Sequence, residues 1–169
     1  MTETSPPLVG RPPSLPLRVL VVEDGDEYSA NLARFLPGDF ELVRAGSGPE
    51  ALSALAAAAF HVIFLDMRFD RTPAAVLLGD LQATADRFNG DIERARCFLE
   101  DNQGAYVLAA LREAGCALPV VFSHDFSGEP RRWANLEQRY PPLAYLSDNA
   151  GPEEVSRCLK AWAVAGEAP

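Results

Sequence analysis

The sequence predicts an α/β domain built around a parallel sheet of five strands. Short apolar runs rich in β-branched residues recur without polar alternation, which suits strands buried on both faces. Segments with apolar residues at helical spacing separate these runs, and that alternation implies βαβ units. Two of the runs end on acids: Leu17 to Val22 (LRVLVV) on Glu23 and Asp24, and His61 to Leu65 (HVIFL) on Asp66. Open α/β sheets bind ligands outside the carboxyl ends of their strands. Glu23, Asp24 and Asp66 are thus placed to converge on one crevice. Such a cluster raises its own pKa values unless a cation neutralises it. Oxygen-only donors favour a hard divalent ion such as Mg²⁺.

The chain has 169 residues, 48% of them hydrophobic, enough for one domain with a core. Its net charge of −9 argues against a general nucleic-acid or membrane-surface role, because both demand a basic face. No apolar run approaches the roughly 20 residues of a membrane span. No basic start followed by an apolar stretch is visible, so a cytoplasmic protein is expected. Cys97, Cys116 and Cys158 are widely spaced and read as reduced thiols rather than a metal or redox site.

Residues 1–16 hold five prolines among small and polar residues and read as an extended tail. The domain is expected over 17–164, with a short tail at 165–169. Strand one runs from about 17 to 23. Glu27 to Leu36 places Tyr28, Leu32, Phe35 and Leu36 at helical spacing, and Pro37-Gly38 ends it. Phe40 to Ala45 is strand two. A cap at Ser47 or Gly48, with Pro49 at the first helical position, opens a helix over Glu50 to Ala59. Strand three is His61 to Asp66, with His61 as a strand-edge residue. Strand four is Leu118 to Ser123. A helix around Trp133 and Leu136 follows, then strand five at Ala144 to Ser147. Pro152, Glu153 and Glu154 start a last helix, whose apolar face is Val155, Cys158, Leu159 and Trp162.

One stretch breaks the rhythm. Almost forty residues separate Asp66 from the helix at about Ala105 to Ala114. Two stripes within it, Val76, Leu77, Leu81 and Phe88, then Ile92, Ala95, Phe98 and Leu99, predict two helices over about 74–88 and 91–100. A structureless loop of that length is unusual in a compact domain. The insertion, about 69–103, is expected beside the acidic crevice. It reads equally as a decorative hairpin or as a lid or docking surface.

Taken in order, these pieces resemble the receiver domain of two-component response regulators. LRVLVVEDGDEY is similar to that family's first strand and acidic pair, and HVIFLDMR to the strand ending in its phosphoacceptor aspartate. FELVRAGSGPEAL, DNQGAYVLAALREAG, LPVVFS and AYLS followed by PEEV resemble later elements. The resemblance implies a flavodoxin-like, doubly wound five-stranded sheet of order 2-1-3-4-5 with helices on both faces. It implies Asp66 as phosphoacceptor, a carboxylate nucleophile. It implies Mg²⁺ held by Glu23, Asp24, Asp66 and the backbone carbonyl of Arg68. Ser123 is the implied switch hydroxyl and Tyr145 the aromatic switch.

Three departures stand out. The lysine that the family places three residues after the strand-five aromatic falls on Asp148, and the sole lysine, Lys160, lies in the last helix. Arg68, Arg71 and Arg131 are the arginines within reach by sequence. His124 follows Ser123 where the family has a small residue; it either faces solvent or narrows the pocket. The third departure is the insertion. Trp133 with Arg131, Arg132 and Arg139 reads either as an amphipathic helix with Trp133 and Leu136 inward, or as a basic-aromatic cluster for an acidic partner.

The resemblance implies a stand-alone receiver in phosphorelay signal transduction, phosphorylated by a histidine kinase or phosphotransfer protein and signalling to a downstream protein. It leaves room for a homodimer. No enzymatic activity is expected beyond self-phosphotransfer and autodephosphorylation. The alternative is a degenerate pseudo-receiver, a phosphorylation-independent binding module. A Mg²⁺-dependent aspartyl phosphatase fits poorly, because Asp66-Met67-Arg68 lacks the second aspartate of a D-x-D motif and Asp24-Gly25-Asp26 lies inside the better receiver match.

Overall fold

The computed structural model describes residues 16–165. The expected tails over 1–16 and 165–169 lie, but for residues 16 and 165, outside that range. Five strands form one parallel sheet: β1 (Leu17–Val22), β2 (Phe40–Ala45), β3 (Val62–Asp66), β4 (Val120–Ser123) and β5 (Leu143–Leu146). Their order is β2-β1-β3-β4-β5, as expected. Between them run α1 (Glu27–Phe35), α2 (Gly48–Ala57), α3 (Leu81–Arg87), α4 (Ile92–Asp101), α5 (Gln103–Glu113), α6 (Pro130–Arg139) and α7 (Pro152–Ala165). Among the described residues, no helix is long and apolar enough to cross a membrane.

Strand alternation divides the core in two. Leu20, Val22, Ile63, Leu65, Val120 and Phe122 face Ala51 of α2, Val107, Leu108 and Leu111 of α5, and Trp133 and Leu136 of α6. Val19, Val21, Val62, Phe64 and Val121 face Leu32 of α1 and Val155, Leu159 and Trp162 of α7. The inner strands β1, β3 and β4 are almost wholly buried, and they are the runs that lacked polar alternation.

Most element edges have local causes. Ser47 caps α2, accepting from the Glu50 N–H at 3.3 Å, so that helix begins at Gly48. Proline has no N–H to give a ladder, and β4 begins at Val120, after Pro119. The Pro119 carbonyl still accepts from Ile63. His61 lies just outside β3 and braces β1: its Nδ1 accepts from the Arg18 N–H at 2.9 Å, and its own N–H donates to the Arg18 carbonyl.

The insertion holds a 3-10 turn at Ala74–Val76 and the two helices α3 and α4, the first shorter than expected. Asp80 sets the start of α3 by accepting from the Ala83 N–H, and Asp91 caps α4 through the Arg94 N–H. Asn89 and Gly90, both at positive φ, turn the chain between them. Phe88 and Phe98 pack across the hairpin at 5.6 Å. The buried amide of Gln103 ties the insertion back. Its oxygen accepts from the Leu78 N–H at 2.6 Å, and its nitrogen donates to the Leu78 carbonyl at 3.0 Å.

Gly104 sets the first turn of α5 directly on the end of β3. Its N–H donates to the Met67 carbonyl at 3.0 Å. A Cβ there would run into the Asp66 carbonyl oxygen and stand 2.9 Å from Met67 Cα, both backbone atoms. Gly104→Ala is therefore expected to push α5 off β3 and cost about 1–3 kcal/mol, the range for overpacking a core. Urea unfolding measures this, and a variant as stable as the wild type would show that the backbone yields.

Candidate functional site

The carboxyl ends of β1, β3 and β4 form the candidate site. Side chains alternate along a strand. Phe64 faces α1 and α7 whereas Leu65 faces the opposite core, so Asp66 points to the α1–α7 side. Ser123 is its in-register neighbour on β4 and points the same way. The sheet therefore puts a carboxylate and a hydroxyl side by side at the rim.

Burial pushes the Asp66 carboxyl up to about 6, helped by the nearby charges of Asp24 and Glu23; hydrogen bonds from the Met67 and Arg68 N–H groups oppose this. The Met67 N–H reaches Asp66 Oδ1 at 2.7 Å. Asp66 titrates as a partly desolvated group that retains access to the rim.

Glu23 and Asp24 diverge. Glu23, 1% exposed, turns beneath α1. One oxygen accepts from the Tyr28 N–H at 2.9 Å; the other accepts from the Ser29 N–H at 2.9 Å and the Ser29 hydroxyl at 2.7 Å. Asp26, the N-cap residue of α1, makes no side-chain cap bond. Glu23 thus serves the orphan N–H groups of that helix from a distance and lies at the positive end of its dipole. Asp24 stays at the rim, where its Oδ2 accepts from the Arg71 N–H at 2.6 Å.

The leg that follows Asp66 crosses this rim. Arg71 reaches Glu27 Oε1 at 2.6 Å, and that hydrogen bond holds the Glu27 carboxyl down at about 2. The Arg68 guanidinium goes to Asp101 at 3.0 Å. The Met67 carbonyl accepts from Gly104, and the Phe69 N–H donates to the Glu100 carbonyl. Neither bond uses the Arg68 carbonyl.

Among the described residues, no lysine or arginine ranks among the chief influences on the Asp66 carboxyl. Lys160 pairs with Asp39 at 2.7 Å. Asp148 is exposed, and its Oδ1 accepts from the Asp125 N–H at 3.1 Å, joining two loops. Arg131 lies on α6, and its neighbour Arg132 binds Asn102 at 2.6 Å and Glu129 at 2.9 Å.

His124 folds onto α6 instead of facing solvent. It meets Glu129 at 2.9 Å and the Phe126 ring at 4.6 Å. His124 and Arg132 together hold the Glu129 carboxyl below its usual range. Tyr145 packs inward, 4.7 Å from Trp133 and 5.5 Å from Phe126. Trp133 and Leu136 are both buried, the amphipathic arrangement.

Tyr28 was legible in the sequence only as an apolar helix position. Its ring stands edge-on to Phe64, with centroids 5.2 Å apart. Burial pushes its hydroxyl pKa up, while the nearby Ser123 side chain acts the other way; Asp66, Asp148 and Glu23 add further upward pressure.

Among the described residues, no three acidic, histidine or cysteine side chains converge closely enough to hold a metal ion. A smaller set fits Mg²⁺, which keeps several waters and takes one or two carboxylates. Asp24 and Asp66, both hard oxygen donors, would supply these, while Glu23 is spent on α1.

The sequence matches no family model and no curated protein. Solved structures do match. The receiver domain of the Francisella response regulator 1452 superposes with a TM-score of 0.59 at 16% identity, over 87% of this chain and 96% of that one. A response regulator receiver domain protein from Methanospirillum hungatei gives 0.55 at 13% identity, over 89% and 96%. An adenylate cyclase from Rhodopirellula baltica gives 0.62 at 18% identity, over 90% and 91%. At these identities the likeness is one of fold. The chain has the receiver-domain fold, a flavodoxin-like sheet with the acidic crevice at its carboxyl edge.

Proposed function

We propose that this chain is a receiver that accepts a phosphoryl group on Asp66 and signals through protein–protein contacts. The observation that carries this is the pairing of Asp66 with Ser123 at the rim, with Asp24 close enough to raise the Asp66 carboxyl. The carboxylate is the nucleophile. Ser123 offers a donor to the arriving phosphoryl oxygens. Asp24 and Asp66 would hold Mg²⁺, with the Arg68 carbonyl as a further oxygen. When bound, Mg²⁺ neutralises charge on the phosphoryl oxygens. The added charge biases the loops around Asp66 through new local hydrogen bonds.

The donor in this reading is a histidine kinase or phosphotransfer protein in the cytoplasm, and the receiver of the signal is another protein or a second copy of the chain. The chain itself turns over no other substrate. The cyclase among the structural relatives carries that activity in its own name alone.

A second reading is favoured by specific observations. Glu23 is committed to α1, Asp148 replaces a cation with an anion, and Arg71 closes on Glu27. These suit a module that binds its partner without phosphorylation.

Incubation with acetyl phosphate and Mg²⁺ separates the two. The wild type is expected to gain one hydroxylamine-labile phosphoryl group, detected by intact mass, and Asp66→Asn none. A wild type that stays unmodified, alone and with a histidine kinase extract, sinks the phosphoacceptor reading in favour of the module.

A further inference from the structure

We infer that the Tyr28 hydroxyl, acting with Ser123, is the donor that grips the phosphoryl group transferred to Asp66, a neutral donor where the expected lysine is replaced by Asp148. This rests on the phosphoacceptor reading above.

The placement follows from the sheet. Phe64 and Asp66 lie two residues apart on the α1–α7 side of β3. Tyr28 stands edge-on to Phe64, at 90° between ring planes. Its ring therefore rests on the aromatic one step below the acceptor carboxylate. From there the phenol lies on the same side of the sheet as Ser123, the side chain paired with Asp66 across the ladder, and close enough for the two side chains to influence each other. Three elements thus bring one carboxylate and two hydroxyls to the same side of the rim: β3 gives Asp66, β4 gives Ser123 and the first turn of α1 gives Tyr28.

The backbone under Tyr28 is fixed. Its own N–H donates to Glu23 Oε2 at 2.9 Å, and the next N–H donates to the other oxygen. The buried carboxylate of Glu23 thereby locks the first turn of α1 against β1. A donor held in this way needs little reorganisation when charge develops next to it, and preorganised donors are the ones that stabilise transition states.

Charge argues in the same direction. A phosphoryl group arriving at Asp66 enters a region already carrying Asp24 and Glu23, with Asp148 near the phenol. The cations around the rim are engaged elsewhere: Arg71 with Glu27, Arg68 with Asp101, and Arg132 with Glu129 and Asn102. What faces the acceptor is a pair of hydroxyls. A phenol ordinarily keeps its proton up to about pH 10, so it remains a donor across the physiological range.

The transfer balances without an added reagent. An acyl phosphate donor loses its phosphoryl group as the bond from phosphorus to the acyl oxygen breaks, and the electron pair leaves on the carboxylate product. A bond forms from phosphorus to an Asp66 carboxylate oxygen. The phenol keeps its proton throughout and donates it only as a hydrogen bond.

The test compares the full-length wild type, Tyr28→Phe and Asp66→Asn with acetyl phosphate over a range of donor concentrations. Phenylalanine keeps the ring on Phe64 and deletes only the hydroxyl. Loss of one preorganised donor is expected to lower the maximal labelling rate roughly a hundredfold, with the donor KM nearly unchanged. Equal maximal rates in wild type and Tyr28→Phe overturn the inference and leave Asp66 as acceptor. No labelling of the wild type overturns both readings together. A second measurement needs no variant at position 28. With ring-labelled tyrosine, beryllofluoride is expected to shift the Tyr28 resonance in the wild type and not in Asp66→Asn. Beryllofluoride bound to the wild type with that resonance unmoved overturns the inference.

Discussion

Glu23→Gln is expected to destabilise the protein by about 2–4 kcal/mol at pH 7, although it changes no side-chain volume. The carboxylate presents two acceptor oxygens to three donors around the start of α1. The amide presents one acceptor and an NH₂ group that faces N–H groups. At a site 1% exposed, water cannot easily take over. Hydrogen bonds to charged groups contribute about 1.5–3 kcal/mol each, and loss of a helix cap costs about 0.5–2 kcal/mol. The expected total stays below their simple sum because the first turn frays and relaxes. Urea unfolding gives the magnitude. Amide exchange at Tyr28 and Ser29, faster in the variant than at Leu32, localises it. Wild-type stability in Glu23→Gln would mean that the carboxylate does not cap α1.

Asp66→Asn should do the reverse and stabilise the fold by about 2–3 kcal/mol at pH 7 in chelator-treated buffer. Burial pushes the Asp66 carboxyl from its ordinary 3.8 up to about 6 in the folded chain. Between those values the folded state holds a proton that the unfolded state has released. Stability therefore falls as pH rises through roughly 4 to 6 and stays at its lower level above that window. Each pH unit of the gap corresponds to about 1.4 kcal/mol, which sets the ceiling near 3 kcal/mol. Asparagine keeps an oxygen for the Met67 N–H and never carries the charge. Its advantage should be largest at pH 7 and vanish near pH 4. Denaturant midpoints across that range measure the effect, and parallel curves for the two proteins would exclude it.

The two substitutions show what the sequence reveals and what it hides. The strands and the acids at their ends are readable because period and burial are local. Proline at 119 also carried a signal, since it cannot donate to a ladder, and it moves the start of β4 to Val120. The direction of Glu23 was not readable. Two adjacent acids look alike in sequence, yet alternation sends Glu23 under a helix whose own N-cap residue leaves its N–H groups unserved. Tyr28 fits an apolar stripe equally well as a core residue, and only the crossing of α1 over β3 sets its ring against Phe64, two residues before Asp66. Gln103 was hidden for a related reason. A single polar residue at the start of an amphipathic helix looks solvated until its partner, 25 residues earlier, is brought alongside.

That glutamine clasp turns the inserted hairpin into a lever. Leu78 hangs on Gln103, and the next residue, Gly104, is seated on the backbone of Asp66 and Met67. The anchor of α3 and α4 is thus one peptide unit from the contact with the strand end that carries Asp66. Any shift of the peptide at 103–104 would therefore have to disturb both the Leu78 clasp and the Met67 carbonyl that the Gly104 N–H holds.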